Sequence, residues 1–292
     1  MRIIRATHLG MCFGVRDAIA LALATAEAGP LTILGDLVHN PTVLSSLAAS
    51  GIAVAKDVAQ VRTPTLMVTA HGASARALAS TRMLGLNVVE ATCPLVQVAH
   101  RAVAEFVRDG YHVVIIGQRD HVEVRGLTGD LDDFDVVLDE EGVRALVEYP
   151  RIGIAAQTTQ SIEKVRHLVA AIRSRFPRSD VRFLDTVCKP TKERQGAAVE
   201  LARASDVVIV IGGTASNNTR ELVQTCGRHC SRVHHVQTDA DLSPAWFREA
   251  HTVGITAGTS TPDEVIDRVE RRIRTFGRGR ELDALGIAEC VR

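Results

Sequence analysis

The sequence predicts an α/β protein built on parallel sheets, with room for three small lobes. Two observations carry that expectation. Short β-branched runs alternate with helix-periodic stretches along the whole chain, the pattern of strands joined by crossover helices. The thiols and polar groups that could carry chemistry gather where the predicted strands end, which is where parallel sheets place their sites.

Composition narrows the class. The 292 residues suffice for one large domain or two to three small ones. Apolar residues make up 46% and charged residues 23%, an ordinary soluble globular balance. A formal net charge of zero argues against nucleic-acid binding, which draws on a basic excess. The N-terminus lacks the long apolar stretch of a signal peptide, and apolar runs such as VVIVI are far too short to span a bilayer. The expected setting is cytoplasmic, without membrane contact. Six cysteines in a chain this long do not make a disulfide framework, so reduced thiols are expected.

In the first third, 2–7 reads as a strand running into LGMCFGV around Cys12. A helix over 15–28 stops at Gly29-Pro30. Strands follow at 31–36, 52–55 and 65–72, with a helix over 38–51 that has Pro41 near its start. A helix over 74–84 precedes a strand delivering Cys93 at its end. The middle third repeats this: helix 95–110, strand 111–118, a polar loop over 119–130, strand 134–139 and an exposed helix. Strand 151–159 and a helix with Ser161 as its N-cap lead to a strand over 181–188 that ends in Cys188. The last third runs helix 191–205, buried strand 206–213, a polar loop opening a helix over 214–229, and strand 232–236. Strand 252–260 and a helix with Pro262 in its first turn close it. No low-complexity linker separates the thirds.

Cys12, Cys93 and Cys188 each follow a predicted strand and precede a predicted helix. Three soft ligands from distant segments suggest a soft metal centre, most plausibly iron–sulfur. Taken singly, each is more readily a buried structural thiol. Polar groups recur at strand ends and in the loops and helix starts that follow them: His39, Asn40, His71, His121, Glu123, Thr158, Thr159, Thr191, Ser216, Asn217, Asn218 and Ser260. Imidazoles, hydroxyls, amides and helix N-termini suit a phosphate or diphosphate. Cys226 and Cys230 flank His229 in a C-x-x-x-C spacing, but no second cysteine pair completes a zinc site. Cys290 lies near the terminus. Gly212-Gly213 is no dinucleotide fingerprint, since G-x-G-x-x-G is absent.

Nine short motifs run in order through the chain: GxCxGV, HN, AHG, ATCPLV, HxEV, QTT, D-T-x-C-x-x-T-x-x-RQ, GG-x-x-S-x-N-T and TAG-x-S-x-P. Each is weak alone; together, from Cys12 to Pro262, they resemble the 4-hydroxy-3-methylbut-2-enyl diphosphate reductases of the non-mevalonate isoprenoid route. The resemblance implies three lobes in pseudo-threefold arrangement around a 4Fe-4S cluster. The lobes would span 13–93, 94–187, and 188–292 with the strand of 1–12. Cys12, Cys93 and Cys188 would ligate the cluster, leaving one iron to bind the substrate oxygen. Glu123 would relay protons and Thr158 would stand near the substrate hydroxyl. His39, His71, His121, Ser216, Asn217, Asn218 and Ser260 would hold the diphosphate, and Thr191 would help position the substrate. Electrons would come from a donor such as ferredoxin or flavodoxin. The chain departs from the family's pattern at Val122, Arg125, Asn217 and Pro190. Two other readings stay open: a paralogue that reduces a different hydroxylated or allylic diphosphate, and a cluster-bearing sensor without turnover.

Overall fold

The computed structural model describes residues 1–284, so Cys290 lies outside the described residues. Its elements in chain order are β1 (Arg2–Arg5), α1 (Phe13–Ala28), β2 (Leu31–Leu34), α2 (Pro41–Ala49), β3 (Ala53–Ala55), β4 (Thr65–Val68), α3 (Ala75–Met83) and β5 (Asn87–Glu90). There follow α4 (Pro94–Arg108), β6 (His112–Ile116), α5 (Val122–Thr128), β7 (Phe134–Val137), α6 (Glu140–Ala145), β8 (Arg151–Ala156), α7 (Ile162–Arg175) and β9 (Asp180–Phe183). The last are α8 (Lys189–Arg203), β10 (Val207–Ile211), α9 (Asn217–Gly227), β11 (Val233–Val236), β12 (Thr252–Ala257) and α10 (Asp263–Ala284).

The strands form three four-stranded sheets, ordered β3-β2-β4-β5, β7-β6-β8-β9 and β11-β10-β12-β1. Every pairing is parallel. The three orders are equivalent, with β1 in the third sheet taking the place of β5 and β9. Each sheet with its helices is one parallel α/β lobe. By contacts the chain divides into two compact units: 13–192, which carries the first two sheets, and 1–12 with 193–292, which carries the third.

In the unit of 13–192, the second sheet is covered on both faces. Strand alternation sends Val114, Ile116, Ile152 and Ile154 toward Val165, Leu168 and Ile172 of α7. It sends Val113, Ile115 and Ala155 toward Ala99, Val103 and Phe106 of α4. Positions 99, 103 and 106 fall on one helical face, which is why α4 docks by that stripe. Phe106 is fully buried, and truncating such a side chain to alanine costs about 3–5 kcal/mol. Ser161 caps α7 by accepting the Lys164 N–H at 3.4 Å.

In the other unit, Val207, Ile209 and Ile211 of β10 face Val265, Val269 and Ile273 of α10. Val208 and Val210 face Ala198 and Leu201 of α8 and Leu222 of α9. Cys226 lies in this second layer, its thiol pushed up to about 12 by burial and by Cys230. Both thiols hydrogen-bond backbone carbonyls.

Four expectations change. The stretch over 119–130 contains the helix α5, where a loop was expected. Gly126 and the valines give it weak helix propensity, and buried Val124 and Leu127 supply the packing that holds it. The strand leading to Cys188 ends at Phe183, and Thr186 then takes over its pairing. The Thr186 hydroxyl accepts the Ala156 N–H at 2.8 Å and donates to the Ala156 carbonyl at 2.6 Å. The strand leading to Cys93 likewise stops short, at Glu90. Pro262 stands just before α10 and offers its carbonyl to Val265 and Ile266. No helix among the described residues is long and apolar enough to cross a membrane.

Candidate functional site

In the unit of 13–192, His39, His71 and His121 meet. The His39 and His71 rings stack at 4.4 Å between centroids, and His121 stands edge-on to them at 5.3 and 5.6 Å. One nitrogen from each lies within 4.8 Å of the others. Such a trio suits either a cation held by lone pairs or an anion held by N–H groups. His121 decides between them. It caps α5 by accepting the Glu123 N–H on Nδ1 at 3.1 Å, so a neutral His121 carries its proton on Nε2. That nitrogen donates; it has no lone pair for a metal. His71 is held well below the ordinary imidazole range, first by burial and then by His39 and His121. An anion among the three rings would relieve that repulsion, whereas a cation would add to it.

Two residues past His121, Glu123 is 1% exposed. Its Oε1 accepts the Thr158 N–H at 2.6 Å and its Oε2 accepts the Thr158 hydroxyl at 2.9 Å. Burial raises this carboxyl from 4.5 to about 7, against the pull of the two Thr158 bonds. Glu123 can therefore hold or release a proton near neutrality. The Thr158 carbonyl in turn accepts the Cys188 N–H at 3.0 Å. Cys188 directly precedes α8, and its Sγ lies 3.1 Å from the hydroxyl of the fully buried Thr191. Carboxylate, threonine and the Cys188 backbone thus form one hydrogen-bonded line, and the thiol bonds Thr191 beside it.

Cys93 stands at the N-cap position of α4 without a side-chain capping bond, and its N–H donates to the Ala70 carbonyl at 3.0 Å. Gly14, two residues past Cys12 in sequence, lies directly against it. A Cβ on Gly14 would stand 2.4 Å from the Cys93 Sγ, so only glycine leaves the sulfur its space.

The unit of 1–12 and 193–292 repeats the design. Ser216 caps α9 by accepting the Thr219 N–H at 3.3 Å. Asn218 accepts the Thr259 N–H at 3.1 Å, and the Thr259 carbonyl accepts the Cys12 N–H at 3.0 Å. The Asn218 Nδ2, with the residue 1% exposed, has no protein partner. Such a buried donor calls for an acceptor. Asn217 and Ser260 are buried alongside at 2% and 4% exposure. Arg194, on α8, donates from Nε and Nη2 to the Gly10 carbonyl at 3.0 and 2.7 Å. Gly10 has φ of 73°, a left-handed turn that glycine takes without strain, so the loop before Cys12 is clamped.

Of the predicted residues, the structure joins His39, His71 and His121 in one cluster. It joins Glu123, Thr158, Cys188 and Thr191 in another, and Cys12 to Asn218 through Thr259. Thr158 does not cap α7, a task Ser161 performs. Thr191 turns its hydroxyl to sulfur. Among the departures, Arg125 is exposed, while Pro190 sits in the first turn of α8, where its missing N–H costs nothing. Residue type alone does not single out Arg194 or Thr259; Arg194 lies in the TxxRQ motif, whereas Thr259 acts through its backbone.

Fold and site define an α/β protein of three like lobes that presents a thiol in front of a helix three times and gathers histidine, amide and hydroxyl side chains within its units. The chain belongs to the LytB protein family, whose model matches residues 3–274. It is similar to 4-hydroxy-3-methylbut-2-enyl diphosphate reductase of Pelobacter propionicus, 39% identical over 275 residues that cover 94% of this chain and 98% of the relative. The reductase of the same name from Geobacter sp. (strain M21) is 40% identical over 276 residues, covering 92% and 97%. A solved structure of (E)-4-hydroxy-3-methyl-but-2-enyl diphosphate reductase, the terminal enzyme of the non-mevalonate pathway, matches at 34% identity with a TM-score of 0.66, covering 94% of this chain and all of that one. The E-1-hydroxy-2-methyl-but-2-enyl-4-diphosphate reductase from Plasmodium falciparum matches at 25% identity with a TM-score of 0.88, covering 92% and 87%.

Proposed function

We propose that this chain reduces (E)-4-hydroxy-3-methylbut-2-enyl diphosphate to isopentenyl and dimethylallyl diphosphate, with loss of water. The reaction consumes two electrons and two protons. The observation that carries the reading is the buried Glu123 carboxyl, tuned to about 7 and bonded through Thr158 to Cys188. In this reading a proton donor stands one threonine away from the residue that ligates the metal, the pairing a reductive dehydroxylation calls for.

Cys12, Cys93 and Cys188 would hold a 4Fe-4S cluster. The donor set fits it: each thiol directly precedes a helix, whose N-terminus favours the thiolate, and Gly14 keeps space around the Cys93 sulfur. When bound, the cluster supplies electrons, drawn from a donor such as ferredoxin or flavodoxin, and a Lewis-acidic iron. The chain's own residues do the rest. Protonated Glu123 gives its proton to the leaving hydroxyl, and Thr158 fixes the carboxyl's orientation through two bonds. His121 donates from Nε2 to a diphosphate oxygen, with His39 and His71 beside it. Ser216, Asn217, Asn218 and Ser260 are assigned to the same diphosphate, the unpartnered Asn218 amide foremost.

Anaerobic spectroscopy of the reconstituted protein, with and without substrate, tests this reading. Substrate should perturb the cluster's spectrum in the wild type and in Glu123→Gln alike, since Gln keeps the shape of the site. A loaded cluster indifferent to saturating substrate contradicts it.

A further inference from the structure

We propose that Thr191 tunes the reduction potential of the metal centre through a hydrogen bond to the sulfur of Cys188, an inference that rests on the cluster reading above. Thr191 is a positioning residue in this role, acting through Cys188. Its Oγ1 lies 3.1 Å from the Cys188 Sγ, and the residue is fully buried. The backbone makes this geometry: the Thr191 N–H bonds the Cys188 carbonyl at 3.1 Å, which closes the first turn of α8. Side chains in a helix lean toward its N-terminus, so the third residue of α8 points back over the cysteine.

As a free thiol, Cys188 donates to the hydroxyl. A metal-bound thiolate has no proton, so the bond reverses and Thr191 donates to sulfur. Withdrawing electron density from the thiolate stabilises the added charge of the reduced centre and raises its potential. The chain carries its own control. The residue three past Cys93 is Val96, and three past Cys12 is Val15. Cys188 alone of the three has a hydroxyl at that position, so the effect is directed at one corner of the centre. Thr191→Val makes the third corner like the other two at nearly constant shape.

The test is an anaerobic redox titration of substrate-free, reconstituted wild type, Thr191→Val, Thr191→Ala and Thr191→Ser, with iron counted per chain. In Thr191→Val the one-electron reduction equilibrium should weaken about tenfold, a shift of about 59 mV toward negative potential. Thr191→Ala should move the same way, and Thr191→Ser should stay within about twofold of wild type. Equal potentials in wild type and Thr191→Val, both loaded, overturn the inference and leave the proposed function standing. Failure of both Thr191→Val and Thr191→Ala to take up iron, with wild type loaded, assigns Thr191 to holding the centre and overturns its tuning role. A wild type that takes up no cluster overturns both readings. A substrate-binding role alone would raise KM without moving the potential of substrate-free protein.

Discussion

Glu123 shows how far a single side chain's chemistry depends on its surroundings. In solution its carboxyl would be ionised at neutral pH; buried, with Thr158 sharing its charge, it sits at about 7. Turnover in the proposed reaction should therefore fall as pH rises through about 7, because the donor loses its proton. Glu123→Gln should lower turnover by roughly 10²-fold or more while the cluster's absorbance stays. A wild-type rate in that variant would remove Glu123 from the proton path. Stability follows the same group. The folded state keeps the proton where the unfolded chain, at about 4.5, has lost it. That contribution is complete below about pH 4.5 and is lost as pH rises through about 7. Denaturant unfolding of cluster-free protein should thus show Glu123→Gln gaining on wild type between pH 5 and pH 8, by on the order of 3 kcal/mol. A pH-independent difference would contradict the raised carboxyl. His71 answers oppositely to a ligand. Held neutral by burial and its neighbours, it should gain affinity for protons once an anion is bound. Calorimetry of diphosphate binding in buffers of different ionisation enthalpy should reveal net proton uptake near pH 7.

At the scale of elements, one device recurs. Each cysteine donates its backbone N–H to a carbonyl two residues beyond a central strand: Ala70 after β4, Thr158 after β8, Thr259 after β12. A polar side chain caps the helix after the neighbouring strand in each lobe: Asn40, His121 and Ser216. Glu123 and Asn218 then stand at equivalent places, and each accepts the N–H of the threonine that anchors a cysteine. One station carries a carboxyl that can move a proton, and the other an amide that cannot. Much of this was legible in residue types, since caps and thiols sit in recognisable turns. The helix α5 was not, because its stability comes from Val124 and Leu127 packing and from a histidine cap that propensity does not reveal. Nor was the packing of Gly14 on Cys93, which joins segments distant in sequence. Gly14→Ala should place a methyl where the Cys93 sulfur stands. Iron per chain after anaerobic reconstitution should drop by half or more, with far-UV circular dichroism unchanged; full iron uptake would refute the crowding.

For the whole molecule, three sheets share one strand order, and the third takes its last strand from the N-terminus. Strand–helix alternation made the three lobes readable, because a parallel sheet must spend a crossover on every strand. By contacts the chain divides at 12–13, beside Cys12, and at 192–193, inside α8, and no composition shift marks either place. Thiols and anion donors occur in both units, so the proposed activity belongs to the whole chain. It is tested most directly by incubating the anaerobically reconstituted protein with (E)-4-hydroxy-3-methylbut-2-enyl diphosphate and a strong one-electron reductant, then separating the products by mass and chromatography. Isopentenyl and dimethylallyl diphosphate should form together in the wild type and fall roughly 10²-fold in Glu123→Gln. A protein with an intact 4Fe-4S cluster that yields neither product would contradict the account.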